Sequence, residues 1–217
     1  IEVLGGISAG GGPDQDGARP SLAYGYFSLE GEPAHEMATI AYGDPDDPSG
    51  RLSWILRNAE ADWRLGLRAG DSDLVTNVSL CIWETEYEGS PVWLPRIAFR
   101  REEDSSFWVA RRDVEDGIPG WTFSPVDAQT AHDTGYYTDI VMSSLMIFAS
   151  TYNQTLNAGR LAIENLLHPG NYYIYSVQPA LGGAGRYLSM EMRDVGESRR
   201  PVFSLVMDDN LYVSFMN

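Results

Sequence analysis

The chain has 217 residues and carries thirty-one acidic against fifteen basic side chains, a formal net charge of −16. All fifteen basic residues are arginine, which excludes Schiff-base lysine chemistry, a phosphate-loop lysine and a lysine-rich nucleic-acid surface, so nucleic acid is not an expected partner. With 43% apolar residues the chain can bury a proper core. Its longest apolar run, Ile140 to Ala149, is broken by Ser143 and Ser144 and is too short to span a bilayer, so no transmembrane segment is expected.

Residues 1–20 are glycine-rich, with an apolar head (Ile1, Val3, Leu4 and Ile7) ahead of Gly10-Gly11-Gly12-Pro13, and read as an N-terminal arm. The start at Ile1, rather than Met, reads as a processed mature protein. From 21 to 217 a single domain is expected. Strands are predicted at Leu22–Leu29, Met37–Tyr42, Leu52–Leu56, Trp63–Leu67, Leu74–Trp83, Val92–Arg100 and Phe107–Arg111, with an acidic loop over 43–50 and a loop over 113–120. Thr138-Asp139 could cap a helix, yet Ile140, Val141, Ile147, Phe148 and Thr151 favour extended backbone, so two strands are predicted within 137–167.

Arg160 to Met192 predicts three successive strands. His168-Pro169-Gly170-Asn171 supplies one turn, Gly182, Gly183 and Gly185 the next reversal. Between them Tyr172, Ile174 and Ser176 alternate with Tyr173, Tyr175 and Val177, which predicts a strand interior to its sheet. Leu211, Val213 and Phe215 alternate with Tyr212 and Ser214 in a last strand. A dozen short strands with Gly, Pro, Asp and Asn between them predict an all-β fold, an antiparallel β-sandwich or jelly roll.

Leu145-Met146-Ile147-Phe148, Leu161-Ala162-Ile163, Pro169-Gly170-Asn171-Tyr172-Tyr173-Ile174 and Gly185-Arg186-Tyr187-Leu188 together resemble the end of a pre-peptidase C-terminal type domain, and Ala61-Asp62-Trp63-Arg64-Leu65 with Asp73-Leu74 is similar to its early strands. The resemblance covers about residues 50–195, with an insertion at about 84–136. It implies a secreted jelly-roll module with a non-catalytic accessory or surface role.

Several side chains are candidates for chemistry. Glu84, Glu86 and Glu88 alternate along a predicted strand and would share one face about 7 Å apart, a separation that glycoside hydrolysis can use. Asp44, Asp46 and Asp47, Asp71 and Asp73, and Asp208 and Asp209 offer hard oxygen ligands for calcium in three loops. Asn77-Val78-Ser79 and Asn153-Gln154-Thr155 are glycosylation sequons in a eukaryotic secretory setting. Cys81, the single cysteine, cannot staple its own chain; it reads as a small buried hydrophobe, free or pairing between chains. The six tryptophans and twelve tyrosines are either core or sugar-stacking platforms.

These features predict a non-enzymatic extracellular structural or adhesive protein of a cell surface or virion. It would be the repeating subunit of a filament, tube or virion, binding copies of itself by strand exchange through the arm. The alternative is a carbohydrate-binding module or small jelly-roll glycosidase using Glu84, Glu86 and Glu88.

Overall fold

The computed structural model describes residues 20–27, 35–43, 52–57, 63–68, 74–115, 118–127, 132–143, 146–165, 167–177, 186–195, 198–207 and 210–215. The described residues are all-β and form four antiparallel sheets. The first holds β1 (Ser21–Phe27), β2 (His35–Gly43), β3 (Leu52–Arg57) and β4 (Trp63–Arg68); the second β5 (Val75–Tyr87), β6 (Ser90–Arg101), β7 (Ser106–Glu115) and β8 (Ile118–Asp127). The third holds β9 (Tyr136–Met142), β10 (Met146–Asn153), β11 (Ala158–Asn165) and β12 (Tyr172–Val177); the fourth β13 (Arg186–Val195), β14 (Ser198–Met207) and β15 (Asn210–Phe215). Among the described residues no helix is long and apolar enough to cross a membrane.

Turn chemistry sets the hairpins. Glu88 (φ 50°) and Gly89 (φ 76°) both take positive φ in the two-residue turn between β5 and β6, the mirror-image turn that matches strand twist. Between β10 and β11, Asn153 Oδ1 accepts the Leu156 amide at 2.9 Å and Asn157 takes a φ of 52°.

The sheets pack face to face, as in a sandwich carried through four layers. Phe27, Met37, Leu52, Trp54 and Leu56 of the first sheet bury against Val75, Val78, Leu80, Ile97 and Phe99 of the second. The opposite face of the second, with Ala98, Phe107, Val109 and Val126, meets Ile140, Ile147, Ala149 and Ala162 of the third. Phe148, Leu161 and Ile163, on the other face of the third, meet Met190 and Phe203 of the fourth. Sheets on both faces explain the unbroken buried runs in β5 and β10, where successive residues are out of solvent whichever face they point to and polar side chains such as Thr76, Asn77, Ser79, Ser150 and Thr151 are buried with the apolar ones.

Within every sheet spatial order follows chain order, a meander rather than the alternation between two sheets that defines a jelly roll. Of the span 84–136, residues 84–115 and 118–127 belong to β5 to β8 and their described turns, and of the loop expected over 113–120 residues 113–115 end β7 and 118–120 begin β8, with Glu115 in register with Ile118. Three strands, not two, fill 137–167. The Tyr172–Val177 strand, expected inside its sheet, lies at the edge as β12, where Tyr173 and Tyr175 are exposed.

Candidate functional site

The sheets are joined through their first strands: β1 packs on β5, β5 on β9 and β9 on β13, whereas β13 has no such packing on β1. A polar residue followed by an aliphatic one recurs at each junction, as Ser21-Leu22, Ser79-Leu80, Asp139-Ile140 and Ser189-Met190. Ser21 Oγ accepts the Leu80 amide at 2.9 Å, and Asp139 Oδ2 accepts the Met190 amide at 2.6 Å. Between them Ser79 Oγ donates to Asp139 Oδ1 at 3.0 Å, and the Ile140 amide donates to the same oxygen at 2.8 Å. Asn77 strengthens this middle junction, its Oδ1 accepting the Tyr137 amide at 3.1 Å and its carbonyl oxygen accepting from Thr138 Oγ1. Strand alternation fixes the polarity: the polar residue faces the following sheet and the aliphatic residue the preceding one.

The two outermost sheets each have one face without a covering sheet among the described residues. On the first, Leu22 and Tyr24 are 56% and 62% exposed, whereas Tyr26 packs its ring against Trp93 of the second sheet. On the fourth, Leu211 and Val213 are 70% and 57% exposed, and Val213 lies in register with Ser204 and exposed Ser189.

The chain matches no protein-family model and no curated protein. What it can do is therefore read from its own surfaces and its buried groups.

A groove of about 150 Å³ lies where the long β5–β6 hairpin carries Trp83, Thr85, Tyr87, Val92 and Leu94, bordered by Glu86, Asp113 and Val114. The Arg96 guanidinium sits 4.9 Å from the Trp83 ring centroid and pairs with Asp113 at 2.7 Å, so one carboxylate of this groove is already neutralised. Glu84 and Glu86 lie on the strand and are exposed, but Glu88 falls in the turn, so the expected row of three shortens to two.

Between the second and third sheets lies a buried ion pair, Arg111 Nη1 to Glu164 Oε1 at 2.6 Å, with both side chains almost wholly out of solvent. Burial pushes the Glu164 carboxyl up from its ordinary range, opposed by the Gly170 amide that donates to it and by the Arg111 and Arg96 guanidiniums. Burial likewise raises the neighbouring Tyr172 hydroxyl and lowers Arg96, the latter partly offset by Asp113. These charges are spent on one another and tie two sheets together.

The remaining sequence candidates divide. Asn77 and Asn153 are buried and hydrogen-bonded, so in the folded chain neither presents its amide for a glycan; both sequons serve turns and junctions instead. Cys81 is partly buried, and burial pushes its thiol up to about 12, countered by Arg96. Asp44, Asp46, Asp47, Asp71, Asp73, Asp208 and Asp209, and the arm residues Ile1, Val3, Leu4 and Ile7, lie outside the described residues. Among the described residues no group of three or more His, Cys, Asp or Glu side chains is placed to hold a metal ion. Sequence reading missed Ser21, Ser79, Asp139 and Ser189, whose signal is a two-residue repeat spaced about 50 to 60 residues apart.

Proposed function

We propose that this chain is a non-enzymatic structural protein of the cell exterior, a repeating subunit that adheres to copies of itself. One observation carries the reading: large apolar side chains stand in solvent at both ends of the series of sheets, Leu22 and Tyr24 at one and Leu211 and Val213 at the other. Apolar clusters of this kind on a strongly acidic, soluble surface favour contact with a partner over exposure to water. The arm (Ile1, Val3, Leu4, Ile7) belongs to the same proposal as a strand that adds to an open sheet edge of a neighbour, and calcium held by the three Asp loops is a further part of it. The extracellular placement rests on the resemblance to secreted modules. Electron microscopy of the concentrated protein tests the reading. It predicts regular filaments, tubes or closed particles, and a field of isolated particles of single-chain size contradicts it.

A second reading is favoured by the groove at Trp83. An aromatic floor with Tyr87 beside it and Glu86 at the rim is a platform for a sugar ring. Titration with soluble oligosaccharides, followed by tryptophan fluorescence, supports this reading if Trp83→Ala abolishes a saturable change seen in the wild type, and the absence of any change excludes it.

A further inference from the structure

We infer that the exposed face of the fourth sheet binds the exposed face of the first sheet in a second copy of this chain, joining the copies head to tail. This deepens the assembly reading above and rests on it. The argument is continuity. Three junctions within the chain use one polar device, in which the side-chain oxygen of a first strand reaches the first strand of the next sheet: Ser21 to the Leu80 amide, Ser79 to Asp139, and Asp139 to the Met190 amide. Each junction also buries the aliphatic residue that follows, Leu80, Ile140 or Met190, against the sheet before it.

The ends of the series display the two unused halves of a fourth such junction. Ser189 occupies the position of Ser21, Ser79 and Asp139, faces away from the third sheet, and is exposed. At the other end Leu22 occupies the position of Leu80, Ile140 and Met190, faces away from the second sheet, and is 56% exposed. Each end also carries apolar side chains on the same face: Val213, in register with Ser189 across Ser204, and Leu211 share the serine's face two strands away, while Tyr24 follows Leu22 on the face of β1. Among the described residues β13 has no junction with β1 of the kind that joins β1 to β5, so a first strand that meets Ser189 in this way comes from another copy. Two different surfaces then meet at every contact, a heterologous interface that closes into a ring or propagates as a filament according to the rotation between copies.

The test uses two blocked variants of the full chain. One carries Leu22→Lys and Tyr24→Lys, the other Leu211→Lys and Val213→Lys; lysine lowers the net negative charge, so general repulsion cannot explain lost association. Circular dichroism and thermal melts check that each is folded. The inference predicts that each variant alone stays at the single-chain mass of 24.0 kDa while an equimolar mixture forms a species of two chains and nothing larger, because one free face of each kind remains. Ser189→Ala is expected to weaken wild-type association about fivefold to tenfold, the scale of one lost hydrogen bond. Association of either variant alone, or a mixture that stays at single-chain mass, overturns the inference. If the wild type associates and only deletion of residues 1–12 abolishes it, the assembly reading survives and this interface does not. If the wild type never associates, both fall.

Discussion

The Ser79 hydroxyl donates to the Asp139 carboxylate at 3.0 Å across the junction of the second and third sheets, joining residues sixty positions apart. The same carboxylate accepts the Ile140 amide on its own strand and the Met190 amide on the fourth sheet, so one side chain holds three sheets in sequence. Its removal leaves those donors without their acceptor, and each unsatisfied buried donor costs about 1–3 kcal/mol.

Asp139→Ala is therefore expected to lower unfolding stability by about 2–4 kcal/mol, and Asp139→Asn, which keeps one acceptor oxygen, by about half of that. Urea unfolding midpoints of the three proteins check the order. Equal midpoints for all three would show that the junction does not depend on this carboxylate.

Glu164 gives a pH signature. Burial raises its pKa above the ordinary 4.5, so between that value and the raised one the folded chain binds a proton that the unfolded chain has released. Its contribution to stability is present below 4.5 and is lost as pH rises through the folded value. Relative to Glu164→Gln, which cannot titrate, the wild type is expected to lose stability as pH rises above the ordinary carboxyl value of 4.5, read from paired urea midpoints. A difference that stays constant or grows with pH contradicts the assignment. Arg111→Met, which strands Glu164 without its ion-pair partner, is expected to cost about 3–5 kcal/mol.

At Gly43 the backbone of the first sheet runs directly against the backbone of the second. A Cβ there would lie 2.0 Å from the Val75 carbonyl oxygen, a contact that neither backbone can relieve by a rotamer change. Gly43→Ala is expected to separate β2 from the start of β5 and to cost about 2–4 kcal/mol, the range for overpacking with backbone movement. Thermal melting checks this, and an unchanged midpoint would mean that the two strands are not so closely joined.

Cys81 reports on the core between the second and third sheets. With its thiol pushed up to about 12, the thiolate fraction at neutral pH is very small. A thiol-specific reagent is expected to label it only after unfolding, and stoichiometric labelling of the native chain within seconds would contradict the burial described.

Much of the fold was legible because strand chemistry is local. Leu52–Leu56, Leu74–Trp83 and Val92–Arg100 show their β-branched and aromatic content directly, and the Pro-Gly-Asn turn before Tyr172 needs no tertiary context. Other elements were hidden by the same local rules. β8 opens with Pro119 and Gly120, which read as the end of a loop over 113–120, yet the outer strand of a sheet tolerates proline because one side of its backbone bonds to no neighbour. The Tyr172 strand has aromatics on both faces, which suggested an interior place, but large side chains are also admitted at an edge. The junction residues were illegible for a different reason: a serine or aspartate before an aliphatic residue is too short a pattern, at too uneven a spacing, to stand out from chance. Only the pairing of strands shows that Ser21, Ser79, Asp139 and Ser189 hold one position in four successive sheets.

The central claim, an open series of sheets whose ends are made for each other, is tested most directly by light scattering of the wild-type chain over an about hundredfold range of concentration, wide enough to cross the midpoint of a reversible association. The account predicts a mass of 24.0 kDa at the dilute end that rises through multiples of that value with concentration. A mass that stays at 24.0 kDa throughout would contradict it.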